Sequence, residues 1–360
     1  MKKSLIALAV LAASGAAMAQ SSVTMFGVVD TGVSYVKGSG DAGTSNYGMH
    51  SGANSSSRLG FRGVEDLGGG LKAGFWLEGG IGTDVGDGSG AGAPKGAGFS
   101  FQRRSTVSLM GNFGEVRLGR DEVAAYNKLA GYSPFSVIGV GAFRGWNTTT
   151  GDGIRQNNMI AYYTPNISGF NAGVNYAFGE QNNNSSASRY VGGYVGYNNG
   201  PLSVTLSADR KNNADLGVSG FAAAPKLNTY GLGASYDFGV VKVSGIAMQA
   251  KEKGALVNDK QNSYALGLSA PVGGVGEVKA MYALYDLKND SANNAGEGKA
   301  HQLSLGYVHN LSKRTAVYGF YTYLKNKDGM NMKIGGTGLD YTSVAGKASN
   351  GVQVGVRHAF

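Results

Sequence analysis

The sequence predicts an all-β fold, a closed antiparallel transmembrane β-barrel of about sixteen strands. Three observations carry that expectation. Long runs alternate apolar and polar residues with a period of two, short turns take turns with long polar segments along the chain, and the last strand ends on an aromatic residue and matches the first.

The period is clearest in Leu202 to Asp209. There Leu202, Val204, Leu206 and Ala208 share one face, and Ser203, Thr205, Ser207 and Asp209 share the other, because successive side chains of a strand point to opposite sides. Tyr264, Leu266, Leu268 and Ala270 repeat the pattern, as do Leu303, Leu305 and Tyr307. A soluble sandwich also alternates, but its strands run to about five or six residues, whereas a strand crossing a bilayer needs about nine to eleven. The runs here are of the longer kind.

Short turns are expected at Asp66 to Gly70, Gly111 to Gly114, Pro165 to Gly169, Asn198 to Pro201, Asp237 to Gly239, Pro271 to Gly276 and His309 to Arg314. Between them lie longer segments at Lys37 to Ser57, Thr83 to Ser100, Asp121 to Gln156, Gln181 to Ser188, Lys211 to Leu227, Glu252 to Gln261, Asn289 to Lys299 and Lys327 to Ser349. Seven turns and eight loops connect sixteen strands, and short turns at one rim with long loops at the other mark a membrane barrel. At the C-terminus Val352, Val354, Val356, His358 and Phe360 alternate with Gly351, Gln353, Gly355 and Arg357. Val23, Met25, Val29, Val33 and Tyr35 supply a matching first strand, so that pairing of the two ends leaves no strand edge in lipid.

The N-terminus reads as an export signal. Lys2-Lys3 is a basic start, Leu5 to Ala17 a short apolar stretch, and Ala17-Met18-Ala19 a small-residue cleavage site. Residues 1–19 are therefore expected to be removed, leaving one barrel domain over 20–360. That removal takes two lysines, so 30 basic residues remain against 23 acidic ones, a net charge of +7. The excess fits a solvated surface or a pore for anions. Its lysines and arginines are scattered, not gathered into a patch or arm, which argues against nucleic acid.

Composition narrows the chemistry. With no cysteine, disulfides, thiolate metal sites and cysteine nucleophiles are excluded together. Gly 61, Tyr 20 and Phe 14 beside Pro 6 suit glycine turns and aromatic strands, not a collagen or a proline-rich linker. His50, His301, His309 and His358 lie far apart without metal-ligand spacing, and the glycine runs precede no helix that would make a phosphate cradle. No cofactor, metal or catalytic constellation is expected, and so no enzyme. Trp76, Trp146 and the many tyrosines have two readings, aromatic girdles at the membrane interfaces or sugar-binding surfaces inside the channel; the girdle is favoured, with Tyr318, Phe320, Tyr321 and Tyr323 as its illustration.

With these features in place, the chain resembles the trimeric general porins of Gram-negative bacteria, in particular the beta-proteobacterial kind. The segments that carry the resemblance are Ser22-Val-Thr-Met-Phe-Gly-Val-Val-Asp30, the run from Ser57-Arg-Leu-Gly-Phe to Gly70-Leu-Lys-Ala73, Gly114-Glu-Val-Arg-Leu-Gly-Arg120, Ser168-Gly-Phe-Asn-Ala-Gly-Val174 and Gly355-Val-Arg-His-Ala-Phe360. The resemblance implies a water-filled channel in the bacterial outer membrane that passes ions and small hydrophilic solutes by passive diffusion. It implies a homotrimer in outer-membrane lipid, assembled by barrel-assembly machinery that reads the C-terminal strand and Phe360. It also implies a long third loop folded into the lumen, here roughly Asp121 to Gln156.

Porin constrictions set arginines on the wall against acidic or neutral groups on that loop. Arg58 and Arg155 match the first and last of these arginines. Alternation supports Arg58, since Leu59 and Phe61 point one way and Arg58, Gly60 and Arg62 the other. For the middle position, resemblance of Phe101-Gln-Arg-Arg-Ser favours Arg103, while alternation with Val107 and Leu109 favours Arg104; both stay open. Asp121, Glu122 and Asp152 would supply the opposing field, although ordinary solvation or capping explains them equally, and pairing with carboxylates near the barrel rim is the rival reading for the arginines. A lumen lined by arginines is expected to prefer anions.

Overall fold

A computed structural model of the chain describes residues 22–88, 96, 98–148, 151–152, 154–180, 188–212, 226–254, 258–289, 297–335 and 339–360. The expected leader lies outside them. Among the described residues the wall is built from β1 (Ser22–Gly38), β2 (Ser45–Ser51), β3 (Arg58–Gly68), β4 (Leu71–Gly80), β5 (Arg104–Gly111) and β6 (Gly114–Glu122). After a small internal pair, β7 (Asn147–Thr148) with β8 (Gly151–Asp152), it continues through β9 (Arg155–Tyr163), β10 (Phe170–Ala177), β11 (Tyr190–Asn199), β12 (Leu202–Asn212), β13 (Lys226–Asp237) and β14 (Lys242–Lys253). It ends with β15 (Asn258–Val272), β16 (Gly276–Asn289), β17 (Gly298–Asn310), β18 (Thr315–Asp328) and β19 (Ala348–Ala359).

Each wall strand pairs antiparallel with its neighbour, and β1 pairs with β19 from Val28↔Ala359 to Gly38↔Ser349. Phe360 extends this seam: its N–H donates to Gly27 O and Gly27 N–H to Phe360 O, both at 3.1 Å. The sheet therefore closes on itself. On its other edge β1 meets two strands, β3 along Ser22 to Val28 and β2 along Thr31 to Lys37. Together β2 and β3 fill one wall position, which makes sixteen strand positions in a closed barrel.

That split strand departs from the expectation of a loop over Lys37 to Ser57. Alternation explains it, since Tyr47 and Met49 face outward from β2 and are 78% and 56% exposed. Residues 52–57 then break the strand and tuck inward against Asp30. The Asp30 carboxylate, wholly buried, accepts from the backbone N–H groups of Ser55 at 2.6 Å, Asn54 at 3.0 Å and Ala53 at 3.4 Å, and from the Tyr318 hydroxyl at 2.6 Å. Ser57 Oγ accepts from Asp30 N–H and donates to Asp30 O. One carboxylate thus supplies the acceptors that the missing ladder would have supplied.

The faces sort as the period requires. Outward residues such as Val23, Val33, Leu206, Leu232, Leu266, Leu305 and Val354 are exposed, although apolar, because their neighbour is lipid. Inward residues such as Ser34, Thr205, Ser263, Ser304, Thr322 and Gln353 are polar and buried. The aromatic girdle expectation divides. Tyr321 and Tyr323 face outward, but Tyr318 and Phe320 are buried inside, and so is Trp146; Trp76 is on the inward face with Glu78, since Phe75 is the outward residue of that pair. Neither tryptophan therefore belongs to the girdle.

The third loop, 123–154, lies against the inner wall as expected. A short helix, Ala124–Leu129, and a single 3-10 turn, Ala130–Tyr132, begin it. Its rings find room where the wall has glycines: a Cβ at Gly231 would stand 2.2 Å from Leu129, at Gly233 2.2 Å from the Tyr132 ring, and at Gly267 2.5 Å from Pro134. Polar pins complete the docking. Asn175 Oδ1 accepts from Ala124 N–H at 2.6 Å, Tyr132 OH shares hydrogen bonds with Ser203 and Thr205 at 2.8 Å, Gln353 Oε1 accepts from Val140 N–H at 3.0 Å, and Gln302 Nε2 donates to Gly141 O and Ala142 O.

Asp30→Ala leaves three backbone donors and one phenol without an acceptor, so it is expected to destabilise the barrel by about 2–4 kcal/mol. Tyr318→Phe removes one hydrogen bond and should cost about 1 kcal/mol. Urea unfolding of the refolded protein in micelles measures both; equal midpoints for Asp30→Ala and wild type would refute the role given to Asp30.

Candidate channel constriction

The lumen is narrowed between the docked loop and the wall formed by β3 to β6 and β9, and that wall carries the arginines. Alternation along each strand decides which of them turn inward. Val107 and Leu109 are outward and exposed, so Thr106, Ser108 and Arg104 of β5 share the lumen face. On β6, Leu118 is outward and Arg117 inward. On β3, Arg58 and Arg62 are inward, as alternation required.

Arg58, Arg103 and Arg155 are joined in one chain of contacts. Arg103 Nε donates to Glu78 Oε1 at 2.5 Å, and Arg58 Nε lies 3.9 Å from the same oxygen. Arg58 is further held by Ser56 O at 2.8 Å and Ser55 Oγ at 3.2 Å. Arg155 Nε donates to Arg103 O at 3.0 Å, and its Nη2 pairs closely with Glu122 Oε1. Three guanidiniums here face two carboxylates. Arg58 keeps the most open side chain of the three, 27% exposed against 10% for each of the others.

A second group continues along the same wall. Arg117 grips Glu115 through two bonds of 2.9 Å and Asp121 at 2.6 Å, while Arg104 Nε is 3.4 Å from Asp121. Arg104 lies over the Trp76 ring at 4.5 Å and Arg117 over Tyr163 at 4.6 Å. Arg62 covers Phe26 at 5.2 Å and Trp76 at 5.1 Å. An aromatic face holds a cation without neutralising it. In all, six inward guanidiniums stand beside four carboxylates, Glu78, Glu115, Asp121 and Glu122.

These positions answer the open alternatives. Arg103 and Arg104 both reach the lumen, by different routes: Arg104 through the inward face of β5, Arg103 from just before that strand by turning back to Glu78. The opposing field expected from the loop is corrected. Asp121 and Glu122 are the last residues of β6, part of the wall, and contact the arginines beside them instead of facing them across the channel. Asp152 falls in β8, and its side chain lies outside what the structure describes. The charged side chains described on the loop are cations: Lys128, over the Tyr194 ring at 5.0 Å, and Arg144, whose backbone N–H donates to Tyr285 OH at 3.0 Å. Burial holds the Arg144 guanidinium below its ordinary pKa, and the Tyr285 and Tyr341 hydroxyls oppose that shift.

Reasoning from sequence did not single out Glu78, Glu115 or Arg117. The signal was present, since Phe75 and Leu77 alternate with Trp76 and Glu78, and Val116 and Leu118 with Glu115 and Arg117. They lie outside the motifs that carry Arg58, Arg103 and Arg155. Among the described residues no group of three metal-ligating side chains comes together. His301, His309 and His358 instead bond Tyr282, Tyr307 and Thr315 on the outer surface.

Comparison with known proteins bears on the whole chain. A family model described as Gram-negative porin matches residues 5–329. Outer membrane porin protein 32 of Delftia acidovorans is 57% identical over the full length of both chains, and an outer membrane porin protein of Bordetella pertussis is 34% identical, again over both full lengths. Among solved structures, an anion-selective porin from Comamonas acidovorans superposes with a TM-score of 0.84 at 53% identity, covering 95% of this chain and 100% of that one. A closed sixteen-position barrel, a loop docked in its lumen and likeness that spans the chain lead to one assignment: the protein belongs to the Gram-negative porin family and is an outer-membrane channel, not an enzyme.

Proposed function

We propose that this porin passes small anions in preference to cations, and that Arg58, Arg103 and Arg155, with Arg104 beside them, set that preference. The observation that carries the reading is the charge balance at the constriction: the wall from β3 to β9 sets six guanidiniums beside four carboxylates, and the described charged groups of the facing loop, Lys128 and Arg144, add to the same sign. Low-dielectric walls concentrate such a field in a narrow passage. The Comamonas acidovorans porin, described as anion-selective, supports it by likeness. Asp121 and Glu122 act as local counter-charges that position Arg104, Arg117 and Arg155, so the excess charge is left to Arg58 and Arg62. Asp152 is assigned to the loop's small hairpin.

The rest of the assignment follows the same family likeness. Residues 1–19 serve as an export signal and 20–360 form the mature barrel. The working unit is a homotrimer in outer-membrane lipid. Phe360 gives the barrel-assembly machinery an exposed terminal aromatic, held by backbone bonds to Gly27.

In planar bilayers with a salt gradient the reversal potential is expected to carry the anion sign. Arg58→Gln should reduce the anion-to-cation permeability ratio about tenfold, since a unit charge about 6 Å from the ion path in water favours an anion and disfavours a cation by about 0.7 kcal/mol each. Raising the salt to about 1 M should flatten the preference in wild type, because screening then acts within about 3 Å. A cation-signed potential in dilute salt would overturn the proposal and leave the porin assignment standing. Gly233→Val places methyl groups against the Tyr132 ring and lifts the loop toward the channel axis; single-channel conductance should fall while the unfolding midpoint stays near wild type.

A further inference from the structure

Inward side chains of a water-filled barrel are expected to be polar, and a recess on the turn side of the arginine wall breaks that rule. Val64, 51% exposed, stands opposite Gly74 in the ladder, and Gly74 opposite Ser108, whose hydroxyl donates to Glu115 on the lumen face. Val64 therefore faces the channel and not lipid. A Cβ at Gly74 would lie 2.9 Å from Met110 Cε and 3.7 Å from Val64 Cγ2, so the two apolar side chains converge over this glycine as one floor. Trp76, opposite Arg62, bounds the floor on the side of the constriction. The recess holds about 400 Å³ and is lined in addition by Arg62 and Arg104; a volume of that order suits a small-molecule site.

Arg62 differs from the other guanidiniums of the wall. Arg58, Arg103, Arg104, Arg117 and Arg155 each reach a carboxylate. Among the described residues Arg62 forms neither ion pair nor hydrogen bond, and it rests on the Phe26 and Trp76 rings alone. Its N–H donors, set in a planar fork that matches a carboxylate, are uncommitted. Along β3 it follows Arg58 by four positions, about 13 Å nearer the turn rim at a rise of about 3.3 Å per residue. Arg104, over the same Trp76 ring, adds a second positive charge at the recess. An uncommitted cation beside an apolar floor is a combination that neither ion passage nor wall stability requires.

We propose that this recess binds aromatic carboxylates, the carboxylate taking the Arg62 fork and the ring lying along Trp76 over the floor of Val64 and Met110. The inference rests on the proposed anion preference, which brings the ligand to the lumen, and adds a criterion that charge does not supply. Each lining group suits a flat unsaturated body. A thioether favours a ring edge, an indole favours an offset or edge-on ring, and a guanidinium stacks on a ring face. A short hydrated acid meets the fork and gains nothing from the floor. Removing about 60 Å² of ring surface from water strengthens binding about tenfold.

The test uses the refolded mature protein in planar bilayers bathed in chloride, with benzoate and acetate as probes added to both sides. Block of the single-channel current gives the affinity of each probe, and the reversal potential in a salt gradient reads charge preference separately. Folding of each variant is checked by the heat-dependent shift of its electrophoretic band. Wild type should bind benzoate about tenfold more tightly than acetate. Val64→Gln should bring the two probes within about twofold of each other and leave the reversal potential unchanged, and the nearly isosteric Val64→Thr, kept in case the first variant does not fold, should lower the benzoate preference about threefold. Arg62→Gln should weaken both probes about tenfold. Equal block of wild type by benzoate and acetate, or a benzoate preference that survives the Val64 substitutions, would overturn the proposal, and an anion-signed potential in the same channels would leave the charge preference standing. A cation-signed potential beside a benzoate preference that Val64→Gln removes would keep the recess and sink the charge preference alone.

Discussion

A membrane offers no water to an unpaired backbone amide, and that absence governs this structure. Every strand must find partners on both edges, so the first and last strands have to meet. The seam between β1 and β19, with Phe360 bonded to Gly27 at its end, satisfies that demand. Where the ladder beside β1 breaks, at residues 52–57, the chain is turned away from lipid and given Asp30 as a substitute acceptor. Irregular backbone survives at membrane depth only where protein or channel water receives it, and here the receiving group can be named.

Closure in turn creates an interior that the loop and the arginines divide between them. The wall from β10 to β19 accepts the loop through glycines and polar pins. The wall from β3 to β9 carries guanidiniums held by carboxylates and aromatic rings. Holding by rings is what keeps Arg62 charged in effect as well as in form, since a carboxylate partner would cancel the field that a Phe26 or Trp76 face leaves intact.

The fold was legible because its governing pattern is local. Period-two alternation and turn chemistry appear in neighbouring residues, and they placed the wall, its seven turns and its closing strand. The exceptions were decided by partners distant in sequence. Ser45 to Ser51 looked like loop until Tyr47 and Met49 were seen against β1. Trp146 looked like a girdle residue, yet it packs edge-on to Tyr126 and Phe143 inside the loop. The same division holds for the constriction. Alternation gave Arg58 and Arg104 their direction, but no sequence rule sends Arg103 back to Glu78 or shows that Asp121 and Glu122 act beside the arginines and not across from them. Those facts depend on which strands become neighbours.

The manner in which the loop is attached separates two kinds of persistence. Its docking uses side-chain hydrogen bonds and rings set against glycines, and among its described residues 124–148 none pairs with a wall strand in the barrel's ladder. Opening the loop therefore breaks a handful of contacts, whereas opening the wall breaks a closed ring of them, and the free energies of the two events differ accordingly. The wall is built to last as long as the membrane does. The passage through it fluctuates on its own clock, so the electrical noise of an open channel reports on the loop alone while the barrel around it stays silent.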